Sequence, residues 1–241
     1  MKIIWNENTI GWFRDASEYT GYNRILSEIL MEHIPHRGTI CDMGCGTALI
    51  DYELAKHFQQ ITCVDISQEA IDSIQKRISE ENIANIIPLC LDGKTLSGSF
   101  DTVIALFHGG SNVFSDYYHL AKDQLIIITH IGSRNTFSPK KHRCDHHYSA
   151  ERTMAYLKEQ NIKYHYIEQS IEYGQPFRSF EDAMLFMDVY GAPGMGTEEK
   201  RAHLETQLQK TEKKEFPYYM TKRKNMGIFI INKWENPNMG V

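Results

Sequence analysis

Two apolar patterns alternate along the 241-residue chain. Short apolar runs at 39–42, 61–65, 86–91, 100–106 and 125–129 predict five strands. The last, Leu-Ile-Ile-Ile-Thr, has no polar alternation, as expected of a strand covered on both faces. Helical spacing fills the gaps. In 24–33, Ile25, Leu26, Ile29 and Leu30 share one face and Pro35 stops the helix. Ser67 caps a helix reaching about 80, striped by Ile71, Ile74 and Ile78. Positions 49–57, 113–121 and 149–160 also read as helices, the last with Met154 and Leu157 inward. Residues 163–173 alternate as a sixth strand and 225–234 form the seventh. Between these two lie helical segments at 179–190 and 197–214, separated by the breaker Ala192-Pro193-Gly194-Met195-Gly196.

Strands alternating with helices predict an α/β fold: a doubly wound, mostly parallel seven-stranded sheet with a helical insertion before the last strand. The expected organisation is a single domain over 1–241, with an N-terminal segment 1–23 and an insertion 176–224. Hydrophobic residues at 41% and aromatics at 11% support a packed core over disorder. A net charge of −5 argues against a generic nucleic-acid binder. The basic runs Lys140, Lys141, His142, Arg143 and Lys222, Arg223, Lys224 read as solvated faces. The N-terminus lacks a long apolar stretch, and no run approaches the roughly 18 apolar residues of a membrane span. Cys41, Cys63 and Cys90 fall in strand-like runs, where a thiol behaves as a small hydrophobe, so a cytoplasmic location is expected. Cys41 and Cys45 have no second pair, which speaks against structural zinc.

The chemistry concentrates in Ile40-Cys41-Asp42-Met43-Gly44-Cys45-Gly46-Thr47-Ala48. A strand ends on an acid and enters a glycine turn, which admits a ligand close to the backbone. Amides at the start of the following helical stretch would favour polar or anionic groups. The dinucleotide fingerprint needs a third glycine where Leu49 stands. Asp42 would also face a pyrophosphate unfavourably, whereas it suits an ammonium group. Asp65 ends the second strand, 19 residues after Gly46, where a carboxylate can accept ribose hydroxyls. The alternative is that it caps the next helix, although Ser67 is better placed for that. Asp92-Gly93 ends the third strand and reads either as a ligand contact or as an ordinary turn.

The 40–48 segment resembles motif I of the class I S-adenosylmethionine (SAM)-dependent methyltransferases, with Ala48 in place of the final glycine and a slightly altered turn expected there. The resemblance spans about 24–125 and implies a set of roles. Asp42 would hold the methionine end of SAM, and Met43, Gly44, Cys45 and Gly46 would form the turn against it. Asp65 with Ile66 would meet the ribose, and Asp92 with Gly93 the adenine. The run 100–110 resembles the family's fourth motif, which places Leu106 and Phe107 beside the adenosyl group and the reacting methyl. It lacks the Asn/Asp-Pro-Pro-aromatic signature, which counts against exocyclic base amines and glutamine as acceptors. Asp101 sits early in that strand and is read as structural. The family also places the last strand antiparallel between the fifth and sixth.

Residues 12–22 resemble the aromatic segment that closes over SAM, so Tyr19 or Tyr22 would contact the cofactor, or else anchor the first helix. His108 and His130 follow the fourth and fifth strands. His108 is the candidate catalytic acid/base. His142, Cys144, Asp145, His146 and His147 form either a polar loop or a metal site, and no metal is expected. Phe180, Met184, Phe186, Met187 and Tyr190 would roof the acceptor or pack a helical core. The resemblance implies SAM binding and is silent on the substrate; the reading taken is methyl transfer from SAM to a small-molecule acceptor by in-line displacement, with neither nucleic acid nor membrane as partner. A SAM-binding protein without transferase activity is the alternative, and a nicotinamide-dependent oxidoreductase is a more distant one.

Overall fold

The computed structural model describes residues 4–109, 112–132, 137–144 and 149–237. Its main sheet contains β1 (Thr39–Met43), β2 (Gln60–Asp65), β3 (Ile86–Cys90), β4 (Phe100–Leu106), β5 (Ala121–His130), β6 (His165–Glu172) and β10 (Arg223–Asn232). Their order is β3-β2-β1-β4-β5-β10-β6. The first five are parallel, and β10 is antiparallel to both neighbours, with Ile228 opposite Ile128 and Ile167. Strand order reverses between β1 and β4, the switch point at whose carboxyl edge open α/β sheets bind ligands. Asp101 accepts from the Thr39 amide (2.7 Å) and hydroxyl (3.0 Å), holding the starts of β1 and β4 together.

Helices cover both faces of the sheet. On one, α2 (Tyr22–His33) and α4 (Gln68–Glu80) bring Leu26, Leu30, Ile71 and Ile74 onto Ile40, Ile61, Ile104, Ile128 and Ile228. On the other, α5 (Val113–Tyr117) and α6 (Ala150–Glu159) cover Met43, Val103, Leu125, Ile127 and Phe229. Successive residues of β5 therefore enter opposite cores, which is why that run is apolar throughout.

A third core lies apart from the sheet. Trp12 of α1 (Glu7–Thr20) packs with Phe177, Phe186, Met187, Leu204 and Met220. These come from β7 (Gln175–Phe177), α7 (Phe180–Tyr190), α8 (Thr197–Gln207) and β9 (Tyr218–Met220). Trp12 Nε1 donates to Asp182 at 2.8 Å, and Arg178 pairs with the buried Asp15. The N-terminal helix and the insertion thus share one core.

The insertion is not purely helical. The second helix stops at Gln207 instead of 214, and the chain continues as β8 (Gln209–Lys210), which pairs with β9, itself paired with β7. Strands of two or three residues are too short to leave a period in the sequence. The expected helix over 49–57 is reduced to α3 (Asp51–Leu54). Bonds from His57 to Leu54 and from Gln59 to Arg37 and Gly38 turn the chain early, to deliver Gln60 to β2. The 113–121 helix ends at Tyr117 and passes through a 3₁₀ turn into β5.

Candidate active site

The glycine turn is organised from the neighbouring strand. Gly44 and Cys45 amides donate to the Val64 carbonyl (2.8 and 3.0 Å). Asp65 Oδ2 accepts from the Gly46 amide and Oδ1 from the Ser67 amide, each at 2.9 Å. Asp65 is therefore not free beside a Ser67 cap. Its carboxylate ties the turn to the start of α4 while Ser67 caps the same helix. Each Asp65 oxygen keeps a lone pair for a further donor. Gly44, Gly46 and Ala48 all have left-handed φ (74°, 56° and 55°). Ala48 therefore accepts the conformation a glycine would have, at roughly 1–2 kcal/mol, and the expected altered turn does not arise. With α3 only four residues long, the site has no substantial helix N-terminus behind it.

Asp42 lies beneath this turn and is 2% exposed, beside the fully buried Asp51. Asp42 Oδ1 has no donor outside this pair, and Asp51 hydrogen-bonds to Asp42. Burial pushes the Asp42 carboxyl well up, and the adjacent Asp51 adds to the rise. Asp51 is raised by the same burial. The residue pattern around Asp51 gave no sign of its role, because only the fold turns it back toward β1.

The His108 imidazole packs on Gly44, where an added Cβ would lie 2.1 Å from Nδ1. Its Nε2 meets the Tyr117 hydroxyl at 3.2 Å. Burial lowers the His108 pKa and raises Tyr117 to about 12. Trp5 similarly covers Gly46. Asp92 is exposed and accepts the Lys94 amide at 3.0 Å, and Gly93 approaches Met43 and Tyr117. Ile66 is 60% exposed beside Asp65. Leu106 and Phe107 close β4, with Phe107 at φ 55° and its ring 4.4 Å from that of His130. The structure thus brings Asp42, Met43, Gly44, Cys45, Gly46, Asp65, Ile66, Asp92, Gly93, Leu106, Phe107 and His108 to one edge of the sheet.

Tyr19 is not brought there. Its ring stacks on Tyr219 (4.7 Å) and meets Phe216 and Lys213 of the insertion. Tyr22 instead lies over Met226, its hydroxyl 3.9 Å from the sulfur. The basic runs are not simply solvated. Lys141 and His142 both contact Glu199 of α8 (2.7 and 2.8 Å). Lys222 and Lys224 are half-buried, and burial brings each to about 7. The signal for the two lysines was their alternation with Met226, which is fully buried on the same face of β10. No group of three metal-ligating side chains occurs among the described residues, and Asp145, His146 and His147 lie outside them.

The set fits SAM on one structural ground: the buried Asp42 Oδ1, with no donor outside its pair with Asp51, can take an ammonium. Comparison with known proteins agrees. Residues 40–124, from β1 into β5, match the family model described as a methyltransferase domain. No curated protein matches the chain. Among solved structures, the YcgJ protein of Bacillus subtilis superposes with a TM-score of 0.55 at 11% identity, over 84% of this chain and 97% of its own. The precorrin-6y C5,15-methyltransferase of Geobacter metallireducens gives 0.51 at 8% identity, over 86% and 87%. The (4+2)-cyclase SpnF gives 0.54 at 14% identity, over 87% and 80%. At such identities these structures share the fold with this chain and nothing finer. The match over 40–124 and these superpositions together give a methyltransferase-like α/β fold. Among the described residues no helix is long and apolar enough to cross a membrane.

Proposed function

We propose that the protein methylates a small-molecule acceptor, as one domain in which α1 and the insertion roof the carboxyl edge of the sheet. The observation that carries this reading is the third core. Trp12 meets Phe186 and Tyr190 edge to face (5.3 and 6.1 Å), which ties α1 to α7 of the insertion and supports an enclosed acceptor region of small size. The net charge of −5 supports a non-nucleic-acid acceptor. Cys41, Cys45, Cys63 and Cys90 are free thiols, which suits the cytoplasm.

SAM, when bound, supplies a methyl group on a sulfonium that is already a good leaving group. Orientation and exclusion of water are then the main tasks of the protein. Asp42 would take the methionine ammonium, and Met43, Gly44, Cys45 and Gly46 would let the ligand meet the backbone. The remaining lone pairs of Asp65 would accept ribose hydroxyls, with the exposed Ile66 against the base. Asp92 and Gly93 would read the adenine edge, and Leu106 and Phe107 would border the transfer region. Burial lowers the His108 pKa and so favours the neutral imidazole, the form that can accept an acceptor's proton.

The test is transfer of label from methyl-tritiated SAM into a cell extract split into molecules below 1 kDa, protein and RNA. Label in the small-molecule fraction, lost with Asp65→Ala, supports the reading. Label confined to RNA or protein would overturn it. Binding of SAM without transfer to any fraction would favour a SAM-dependent regulator.

A further inference from the structure

Lys224 is the second residue of β10 and Lys222 immediately precedes the strand, where the Tyr173 amide donating to the Lys222 carbonyl (2.8 Å) continues the pairing and the extended chain sends both side chains to one face. Lys224 Nζ stands 3.6 Å from the Phe107 ring centre and 4.9 Å from that of Tyr173. Lys222 Nζ stands 4.0 Å from Phe137, whose ring packs edge-on against Phe186 of the roof (4.9 Å). The pair therefore spans the seam between the end of β4 and the roof. Among the described residues neither ammonium has a carboxylate partner. The ion pairs of this region, those of Lys141, Arg178 and Lys200, are made elsewhere. The titratable groups facing the lysines are Arg143 beside Lys222 and the phenols Tyr22 and Tyr173 beside Lys224.

Two ammonium groups on one face, half-buried and without counter-charge, are unfavourable by themselves. Burial brings both to about 7, with repulsion from Lys224 and Arg143 adding to it at Lys222. A bound anion would restore their protons and pair their charge. The surrounding rings suit an apolar body, and contact with them favours the charged lysine.

We propose that Lys222 and Lys224 bind the carboxylate of the methyl acceptor, so that the acceptor class is an aromatic carboxylic acid with its ring beside Phe107. This rests on the small-molecule reading above. It adds a specificity-determining pair that is separate from the glycine turn.

Binding to the full chain, saturated with S-adenosylhomocysteine, tests this by ligand-observed NMR with benzoate, benzamide and inorganic phosphate. Benzoate should bind at least about tenfold more tightly than the uncharged benzamide. Lys222→Met and Lys224→Met should each weaken benzoate at least about fivefold, and Lys224→Arg should restore most of the loss. In lysine-selective NMR titrations, benzoate should raise the titration midpoints of both amines, a response that a purely structural lysine would not give. Equal binding of benzoate and benzamide, failure of benzoate to bind, or preference for phosphate would each overturn the assignment. If S-adenosylhomocysteine itself does not bind, the methyltransferase reading fails first. If it binds while benzoate does not, this inference alone fails.

Discussion

Replacing Asp51 with asparagine should stabilise the protein at neutral pH, although it alters a fully buried residue beneath the glycine turn. Asp42 and Asp51 sit together at 2% and 0% exposure and hydrogen-bond to each other. Two carboxylates in such a space cannot both ionise cheaply, so the folded pair holds a proton that the unfolded chain releases near pH 4. Both folded pKa values are raised, first by burial. The folded state then binds more protons than the unfolded one above pH 4, so stability falls as pH rises toward the folded values. Each pH unit over which the pair retains its proton costs about 1.4 kcal/mol. An asparagine at 51 removes one of the two charges and can donate its amide to the orphaned Asp42 oxygen. Urea denaturation of both proteins from pH 4 to 8 should show a gain of at least about 1.4 kcal/mol at pH 7.5, shrinking toward zero at pH 4. A variant that is less stable at every pH, or whose difference from the parent does not change with pH, would refute the shared proton.

Three further outcomes follow from the same contacts. Asp65→Ala should weaken SAM and S-adenosylhomocysteine at least tenfold, about 1.4 kcal/mol by calorimetry. It removes a hydroxyl acceptor and also the bonds that hold Gly46 and Ser67, and an unchanged affinity would leave Asp65 with no part in binding. Gly44→Ala should destabilise strongly, because its φ is 74° and the new methyl would lie 2.1 Å from His108. Adding His108→Ala should recover part of that loss in thermal melts, and no recovery would mean that backbone strain alone is responsible. Trp12→Ala should cost about 3–5 kcal/mol of local stability, read as faster amide exchange in α7 and α8 with the sheet still protected. Uniform loss of protection across the sheet would show that the roof does not open as a separate unit.

Much of the sheet was legible because its determinants are local. The strands that became β1, β2 and β4 are short, mostly apolar runs expected to end on Asp42, Asp65 and Leu106, and they differ from expectation by at most a residue at each end. Ser67 and Ser149 mark helix starts that the structure keeps. Short elements were not legible. β7, β8 and β9 hold two or three residues each and exist through pairing with one another across the roof. The 49–57 stretch has helical spacing, but the need to enter β2 ends its helix after one turn.

The sequence by itself determined the class of fold, the glycine turn and the acids at the strand ends, because each depends on residues near one another in the chain and on a period of two or 3.6. Only the tertiary structure decided how those groups are used. It brought Asp51 against Asp42, gave Asp65 two backbone donors, laid His108 on Gly44 and carried Tyr19 away to Tyr219. It also turned an apparently solvated basic run into two half-buried ammonium groups, Lys224 beside Phe107 and Lys222 beside Phe137. Those outcomes depend on which distant surfaces share a volume closed to water, and burial and charge pairing are settled there rather than along the chain.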